Sequence, residues 1–125
     1  MSRYRILFIE EINARSQLKP FTVRFIGKLR NYLAENNVGI LVDTDVARPI
    51  SVRVDFQNIV DIPMIIGSYY QIIGEALCEH VEPVIIRAAF VKNVDGIDMN
   101  MYKEAVRSRR EYLFEFHLLS FSPPR

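Results

Sequence analysis

The sequence contains no tryptophan, one cysteine, two histidines and five glycines among its 125 residues. A single thiol, Cys78, excludes an intrachain disulfide and is typical of a reducing compartment. The apolar run from Ile6 to Ile9 is broken by Glu10 and is far shorter than a membrane span or a signal-peptide core. We therefore expect neither a disulfide scaffold nor membrane insertion.

Signatures of catalysis and cofactor binding are also missing. The chain has no glycine-rich phosphate loop and no nucleophile elbow. The one cluster of possible metal ligands consists of Cys78, Glu79, His80 and Glu82. Adjacent residues of an extended segment point in opposite directions, so these side chains are not expected to converge. Glu10 and Glu11 are expected to be solvated rather than an acid–base couple, because sequence neighbours do not face each other. We predict no enzyme activity, small-molecule substrate, cofactor or metal.

The composition is that of one soluble globular domain spanning residues 1–125. Hydrophobic residues make up 50% and charged residues 25%, a balance that argues against disorder. The net charge of +1 gives no overall attraction to nucleic acid or membrane. The charges are nevertheless uneven, because residues 1–30 hold seven basic side chains against two acidic ones. We therefore expect one positive region on the surface.

Alternation of apolar and polar residues predicts five strands. In the first strand, Val23 and Phe25 share one side while Arg24 and Lys28 share the other, which is the period of a half-buried strand. Turn-forming residues separate this strand from the next at residues 36–39. The predicted strands cover residues 20–30, 38–43, 50–56, 69–77 and 84–91.

The order of these strands favours a small closed barrel. Gly27 and Gly74 lie inside the first and fourth strands, where glycine often marks a bulge or sharp bend. Residues 57–67 lack alternation and read as a connector with a short helical turn. We predict an all-β fold, a five-stranded oligonucleotide/oligosaccharide-binding (OB) barrel followed by a long C-terminal α-helix. An SH3-like barrel would give similar alternation.

The predicted C-terminal helix is amphipathic, with Asp98 as its N-cap. At about 100° per residue, one group of mostly apolar residues falls within a face of roughly 140°. That face comprises Met101, Tyr102, Ala105, Val106, Arg109, Tyr112, Leu113, Phe116 and Leu119. The polar face comprises Asn100, Lys103, Glu104, Arg107, Ser108, Arg110, Glu111 and Glu115.

The apolar face of the helix is wider than the roughly 100° that one buried seam needs. Part of it is expected to rest on the barrel and the remainder to bind a protein partner, because exposed aromatic residues would otherwise form an adhesive patch. Arg109 lies at the middle of this face. Its stem can lie along the surface with the charge in water, or its guanidinium can pair with a partner carboxylate. The candidate partner-binding residues are Met101, Tyr102, Ala105, Arg109, Tyr112, Leu113 and Phe116.

Four basic residues are candidates for nucleic-acid contact. Arg24, Lys28 and Arg30 are predicted on the outward side of the first strand, and Arg53 on a neighbouring strand. Such side chains can follow a single-stranded backbone, with affinity that falls steeply with salt. Solvated basic residues on an outer strand are the plainer interpretation. With an acidic loop at residues 79–82, the chain alone is expected to bind DNA weakly.

Several short stretches resemble one protein family. Residues 6–13 and 23–27 are similar to the opening of the smallest (Ten) subunit of the telomere-capping CST (Cdc–Stn–Ten) complex, and residues 66–75 to its fourth-strand region. Residues 96–98, with Tyr102 and Tyr112, resemble the entry and body of its C-terminal helix. The order and spacing of these pieces carry the resemblance, whereas residues 114–125 depart from the family pattern. A fungal member is expected.

This resemblance implies a non-enzymatic nuclear protein at telomeric chromosome ends. The barrel would pair with the N-terminal barrel of the Stn subunit, as the two smaller subunits of replication protein A pair. The resemblance implies that the apolar face of the helix is the Stn-binding surface. It also implies a role in telomeric single-stranded DNA protection and telomere length control, with DNA contact weak or indirect. The alternative is a stand-alone single-stranded nucleic-acid-binding OB module resembling the smallest replication protein A subunit.

Overall fold

The structure is a computed structural model that describes residues 4–14, 20–43, 50–77 and 84–120. Six strands and two helices lie in these ranges. They are β1 (Arg5–Ile6), α1 (Ile9–Ala14), β2 (Phe21–Leu33), β3 (Val38–Asp43), β4 (Ile50–Asp55), β5 (Tyr69–Leu77), β6 (Ile85–Asn93) and α2 (Met99–Ser120). The five predicted strands correspond to β2–β6 within a few residues. None of the described helices is long and apolar enough to cross a membrane.

The strands close into a barrel because β2 pairs with two neighbours. Its first part, Phe21 to Lys28, runs antiparallel to β5, and its second part, from Lys28 onward, runs antiparallel to β3. The sheet order is β1-β2-β3-β4-β6-β5, with β4 and β6 parallel. This is the predicted OB-type barrel, and the extra strand is the two-residue β1, parallel to β2.

The two predicted bend glycines have different roles. At Gly74 the β5–β6 register shifts, and a Cβ there would collide with the carbonyl oxygen of Arg87, so the predicted bulge is confirmed. The shift in β2 lies further along, between Leu29 and Asn31. Gly27 instead gives room to α1, because a Cβ there would lie 2.9 Å from Ile9 Cδ1.

The short helix α1 closes one end of the barrel. Its Ile9 and Ile12 are almost completely buried in the barrel core. Phe8 precedes the helix, and its amide donates to Glu11 Oε1 at 2.8 Å in the manner of a capping box. Asn13 donates to the Ser51 carbonyl at 2.8 Å, which ties the helix to β4.

The connector between β4 and β5 contains isolated turns rather than the predicted helical turn. Its anchor is Tyr70, whose ring lies in the core and whose hydroxyl reaches the connector. That hydroxyl donates to the Pro63 carbonyl at 2.8 Å and accepts from the Ile65 amide at 2.9 Å. A buried side chain thus satisfies backbone groups that no strand partner supplies.

The junction between β6 and α2 is fixed by two aspartates. The Asp95 carboxylate accepts from the Tyr69 amide at 2.7 Å and from Ser68 Oγ at 2.8 Å, and these hydrogen bonds lower the pKa of Asp95 from its ordinary 3.8. Asp98 Oδ1 accepts from the Met101 amide at 3.1 Å, which confirms the predicted N-cap. The start of α2 is therefore held against the start of β5.

Candidate protein interface on the C-terminal helix

The helix α2 is attached to the barrel by a buried ion pair. Lys103 Nζ lies 2.9 Å from both carboxylate oxygens of Asp43, at the end of β3. Lys103 is 5% exposed and Asp43 is 4% exposed. Removing only one partner of such a pair typically costs about 3–5 kcal/mol, because a charge is left buried. This contact therefore strongly favours one placement of the helix.

A second ion pair lies two helical turns further along. Arg110 forms a two-pronged pair with Glu11 at 2.9 Å for each contact, and Arg110 Nη2 also donates to the Ile6 carbonyl at 2.6 Å. Glu11 was predicted to be solvated, and that prediction was wrong because residues far apart in sequence meet here. We call the Lys103–Asp43 and Arg110–Glu11 pairs the ionic anchors of α2.

Apolar contact between α2 and the barrel is limited. Val106 is the buried apolar side chain of α2 among those described. Ile26 and Val42 are buried outside the core cluster, and Ile26 follows the inward-facing Phe25, so it points outward from β2. The Phe8 ring is surrounded by cations, with the Lys103 Nζ, Arg107 Cζ and Arg110 Cζ atoms at 5.9, 5.4 and 5.0 Å from its centroid.

Tyr102 lies at the edge of this contact and is half-buried. Burial raises the pKa of its hydroxyl above the ordinary 10.0, and the charges of Arg24 and Arg110 oppose that rise. Tyr102 Oη and Arg24 Nε are buried and lack a hydrogen-bond partner within the described part of the chain. Tyr102 therefore packs mainly as a ring.

The polar and apolar faces of α2 are placed differently from the sequence prediction. Lys103 and Arg110 were assigned to the solvent side, but they face the barrel and carry the ionic anchors. Met101 and Tyr112 are each 67% exposed and Leu113 is 48% exposed. The outer face of α2 is defined by Met101, Ala105, Arg109, Tyr112 and Leu113, all of them exposed.

Three residues of the outer face, Met101, Ala105 and Tyr112, lie on the side of α2 opposite the ionic anchors, whereas Leu113 lies about 60° from Arg110 around the helix. Tyr112 follows Lys103 by nine residues and Arg110 follows Met101 by nine, and at about 100° per residue nine steps amount to roughly a half-turn. Burying a large apolar side chain stabilises an assembly by about 1.5–3 kcal/mol. A partner that covered Met101 on the outer face would gain free energy of this size. Of the predicted partner-binding residues, Tyr102 lies at the rim, and the side chain of Phe116 is outside the described part.

The predicted nucleic-acid residues are not brought into one patch. Arg24 donates to Gln71 Oε1 at 3.1 Å and to Tyr4 Oη at 3.3 Å, so it is engaged within the molecule. Lys28 is half-buried, whereas Arg30 and Arg53 are exposed. Arg53 on β4 pairs with Ile40 on β3, and Ile40 pairs with Asn31 on β2, the residue after Arg30. Arg53 and Arg30 are therefore two strands apart, a distance of ~10 Å across the sheet.

Within residues 4–14, 20–43, 50–77 and 84–120, no group of three or more histidine, cysteine or acidic residues could hold an ion. The Cys78–Glu82 cluster considered from the sequence lies outside the described residues.

Comparison with known proteins gives one consistent family. A family described as "Telomere-capping, CST complex subunit" matches residues 1–115. The CST complex subunit TEN1 of Arabidopsis thaliana is 36% identical over 98 residues, covering 75% of this chain and 72% of the relative. The expected fungal source gains no support from this plant relative.

Two solved structures share the fold. In the S. pombe Stn1–Ten1 complex, a chain superimposes with a TM-score of 0.69 at 21% identity, covering 88% of this chain and 94% of the other. The S. pombe telomere capping protein Ten1 gives a TM-score of 0.68 at 21% identity, covering 87% and 99%. These likenesses support the barrel and helix arrangement.

Proposed function

The chain belongs to the family of telomere-capping CST complex subunits, and from this premise we propose that it is the small, non-enzymatic subunit of a chromosome-end protection complex in the nucleus. In this role it binds the Stn subunit through the outer face of α2 and adjoining barrel surface. The assembled pair then supports telomeric single-stranded DNA binding and length control.

One observation carries this proposal: among the described residues, charged side chains hold α2 to its own barrel while Met101, Tyr112 and Leu113 face solvent. Met101 and Tyr112 at 67% exposure and Leu113 at 48% form a surface that a soluble protein normally covers. The choice of Stn as partner is supported by the fold shared with a chain of the S. pombe Stn1–Ten1 complex. Arg109, exposed on the same face, is available to a carboxylate of the partner.

DNA contact by this chain alone is proposed to be weak. Arg24 is occupied by Tyr4 and Gln71, and the two exposed arginines among the four candidates, Arg30 and Arg53, are separated on the sheet. A surface with few accessible basic side chains along one path neutralises few phosphates, so its non-specific affinity for single-stranded DNA is low. Titration of the isolated chain with a telomeric oligonucleotide separates this proposal from the stand-alone binding module. Sub-micromolar affinity with a steep salt dependence would favour the stand-alone module.

The interface is tested by truncating its aromatic anchor. Tyr112→Ala is expected to weaken the complex with the Stn barrel from the same organism by about 2 kcal/mol, because buried aromatic anchors dominate interface energies. That corresponds to roughly thirtyfold in Kd, which calorimetry with separately purified proteins can measure. Phe116→Ala, predicted from the sequence to lie on the same face, should act in the same direction.

A matched control is Leu33→Ala, which truncates a side chain that is 54% exposed on β2, beside the turn to β3. This variant should bind as the unaltered chain does. If Tyr112→Ala and Phe116→Ala both bind normally while the unaltered chain binds Stn, the outer face of α2 is not the interface.

A further inference from the structure

The ionic anchors of α2 do more than attach the helix. We propose that Lys103 and Arg110 are positioning residues for partner binding, which set the rotation of α2 about its own axis so that its outer face points away from the barrel. The inference rests on the proposed function, since the surface that they position is the proposed Stn-binding face.

The spacing of the two anchors suits this role. Lys103 and Arg110 are seven residues apart, which places them within about 20° of each other around the helix and ~10 Å apart along its axis. One anchor would leave α2 able to swivel about the contact. Two anchors on one side, to β3 and to α1, determine both the rotation and the direction of the helix.

The anchors also oppose an alternative placement. The barrel carries the apolar Ile26 and Val42 outside its core cluster, and the outer face of α2 carries the large side chains of Met101 and Tyr112. Hydrophobic contact has no directional preference, so the helix could turn its outer face inward and hide it from a partner. That rotation would move Lys103 away from the buried Asp43 and leave its carboxylate without its cation, which is strongly unfavourable.

The role predicts a specific kinetic signature. A residue that touches the partner changes mainly the dissociation rate, whereas a residue that sets the fraction of binding-competent helices changes the apparent association rate. Arg110→Gln is the first variant, because its ion pair is partly exposed and the chain should still fold. Lys103→Met is the second and should act more strongly.

The experiment measures association and dissociation of each full-length variant with the Stn barrel, together with hydrogen exchange of α2 amides in the free chain. Both variants should associate about fivefold or more slowly with dissociation changed less than twofold. Exchange in α2 should accelerate while β2 and β5 stay protected. Arg87→Gln is the control, since Arg87 Nε pairs with Asp55 at 3.9 Å, within the barrel.

The outcomes separate the two hypotheses. If the unaltered chain binds Stn and both variants associate at its rate, the positioning role is excluded and the proposed function stands. A change confined to dissociation would make Lys103 and Arg110 contact residues and would equally overturn the inference. If the unaltered chain does not bind the Stn barrel, the proposed function fails, and the inference with it.

Discussion

The barrel interior and the attachment of α2 are built from opposite kinds of contact. The interior is one continuous apolar cluster, with Phe25, Leu29 and Ile72 completely buried. Among the described side chains of α2, the attachment has one buried apolar residue, Val106, and two ion pairs. Apolar packing stabilises a shape without prescribing direction, whereas a two-pronged ion pair prescribes direction. Directional ion pairs thus hold α2, the element whose orientation decides which apolar side chains are exposed.

This comparison predicts that changes in the barrel lower the stability of the whole molecule, whereas changes at the anchors release α2 alone. The largest expected effect is that of Gly74→Ala. The new methyl group would meet the Arg87 carbonyl across the β5–β6 pair and force the strands apart. We expect a loss of about 3 kcal/mol in the free energy of unfolding, measured by urea denaturation.

Lys92→Ala provides the control for that substitution, because Lys92 is exposed on β6 outside the bulge. Near-normal stability of Gly74→Ala would mean that the β5–β6 bulge tolerates a side chain.

A smaller effect is expected from Tyr70→Phe, which keeps the buried ring and removes the hydroxyl. The Pro63 carbonyl and the Ile65 amide would lose their partner, at a cost of about 1–2 kcal/mol in the free energy of unfolding. The backbone amide of Ile65 should also exchange its hydrogen with solvent faster than in the unaltered chain. An unchanged denaturation midpoint would mean that water replaces the hydroxyl fully.

The smallest effect concerns Asp95, at the junction between the two regions. The pKa of Asp95 is lower in the folded chain than its ordinary 3.8, so the unfolded chain takes up this proton first as pH falls. Its stabilisation is present above pH 3.8 and is lost as pH falls through the folded pKa. Asp95→Asn should therefore be less stable near pH 7, and the difference should narrow at acid pH. A difference that stays constant with pH would contradict this.

The barrel was largely predictable from the sequence because each half-buried strand shows an alternation of apolar and polar residues within its own few residues. Alternation placed β3 and β5 at the observed residues, and Gly74 marked the observed bulge. The sequence left open whether Phe8 and Ile9 form a strand or a helical turn that caps the barrel floor, since six residues are too few for periodicity to separate the two. Only its packing on Gly27 and its contact with Ser51 make it a helix that closes the barrel.

The helix α2 was predicted, but the side that meets the barrel was not. Periodicity assumes that charged residues face water. Here the partners of Lys103 and Arg110 are Asp43 and Glu11, 60 and 99 residues away, and no local pattern contains that information. The spacing of seven residues between two basic side chains was the available signal, although it is common in solvent-exposed helices. The family could be identified from the sequence because several short stretches resemble it in the same order and with the same spacing.

The long sequence separation of the anchors also has a kinetic consequence. The groups that hold α2 precede it by 60 to 104 residues, whereas the β2–β3 hairpin closes over a turn of residues 34–37. Contacts between distant segments form late, because closing the loop between them costs entropy before the contact repays it. We therefore expect the barrel to fold first and α2 to settle last. A nascent chain would pass through an interval in which a complete barrel carries an unattached amphipathic helix, and a partner present during that interval could capture the helix before the anchors form.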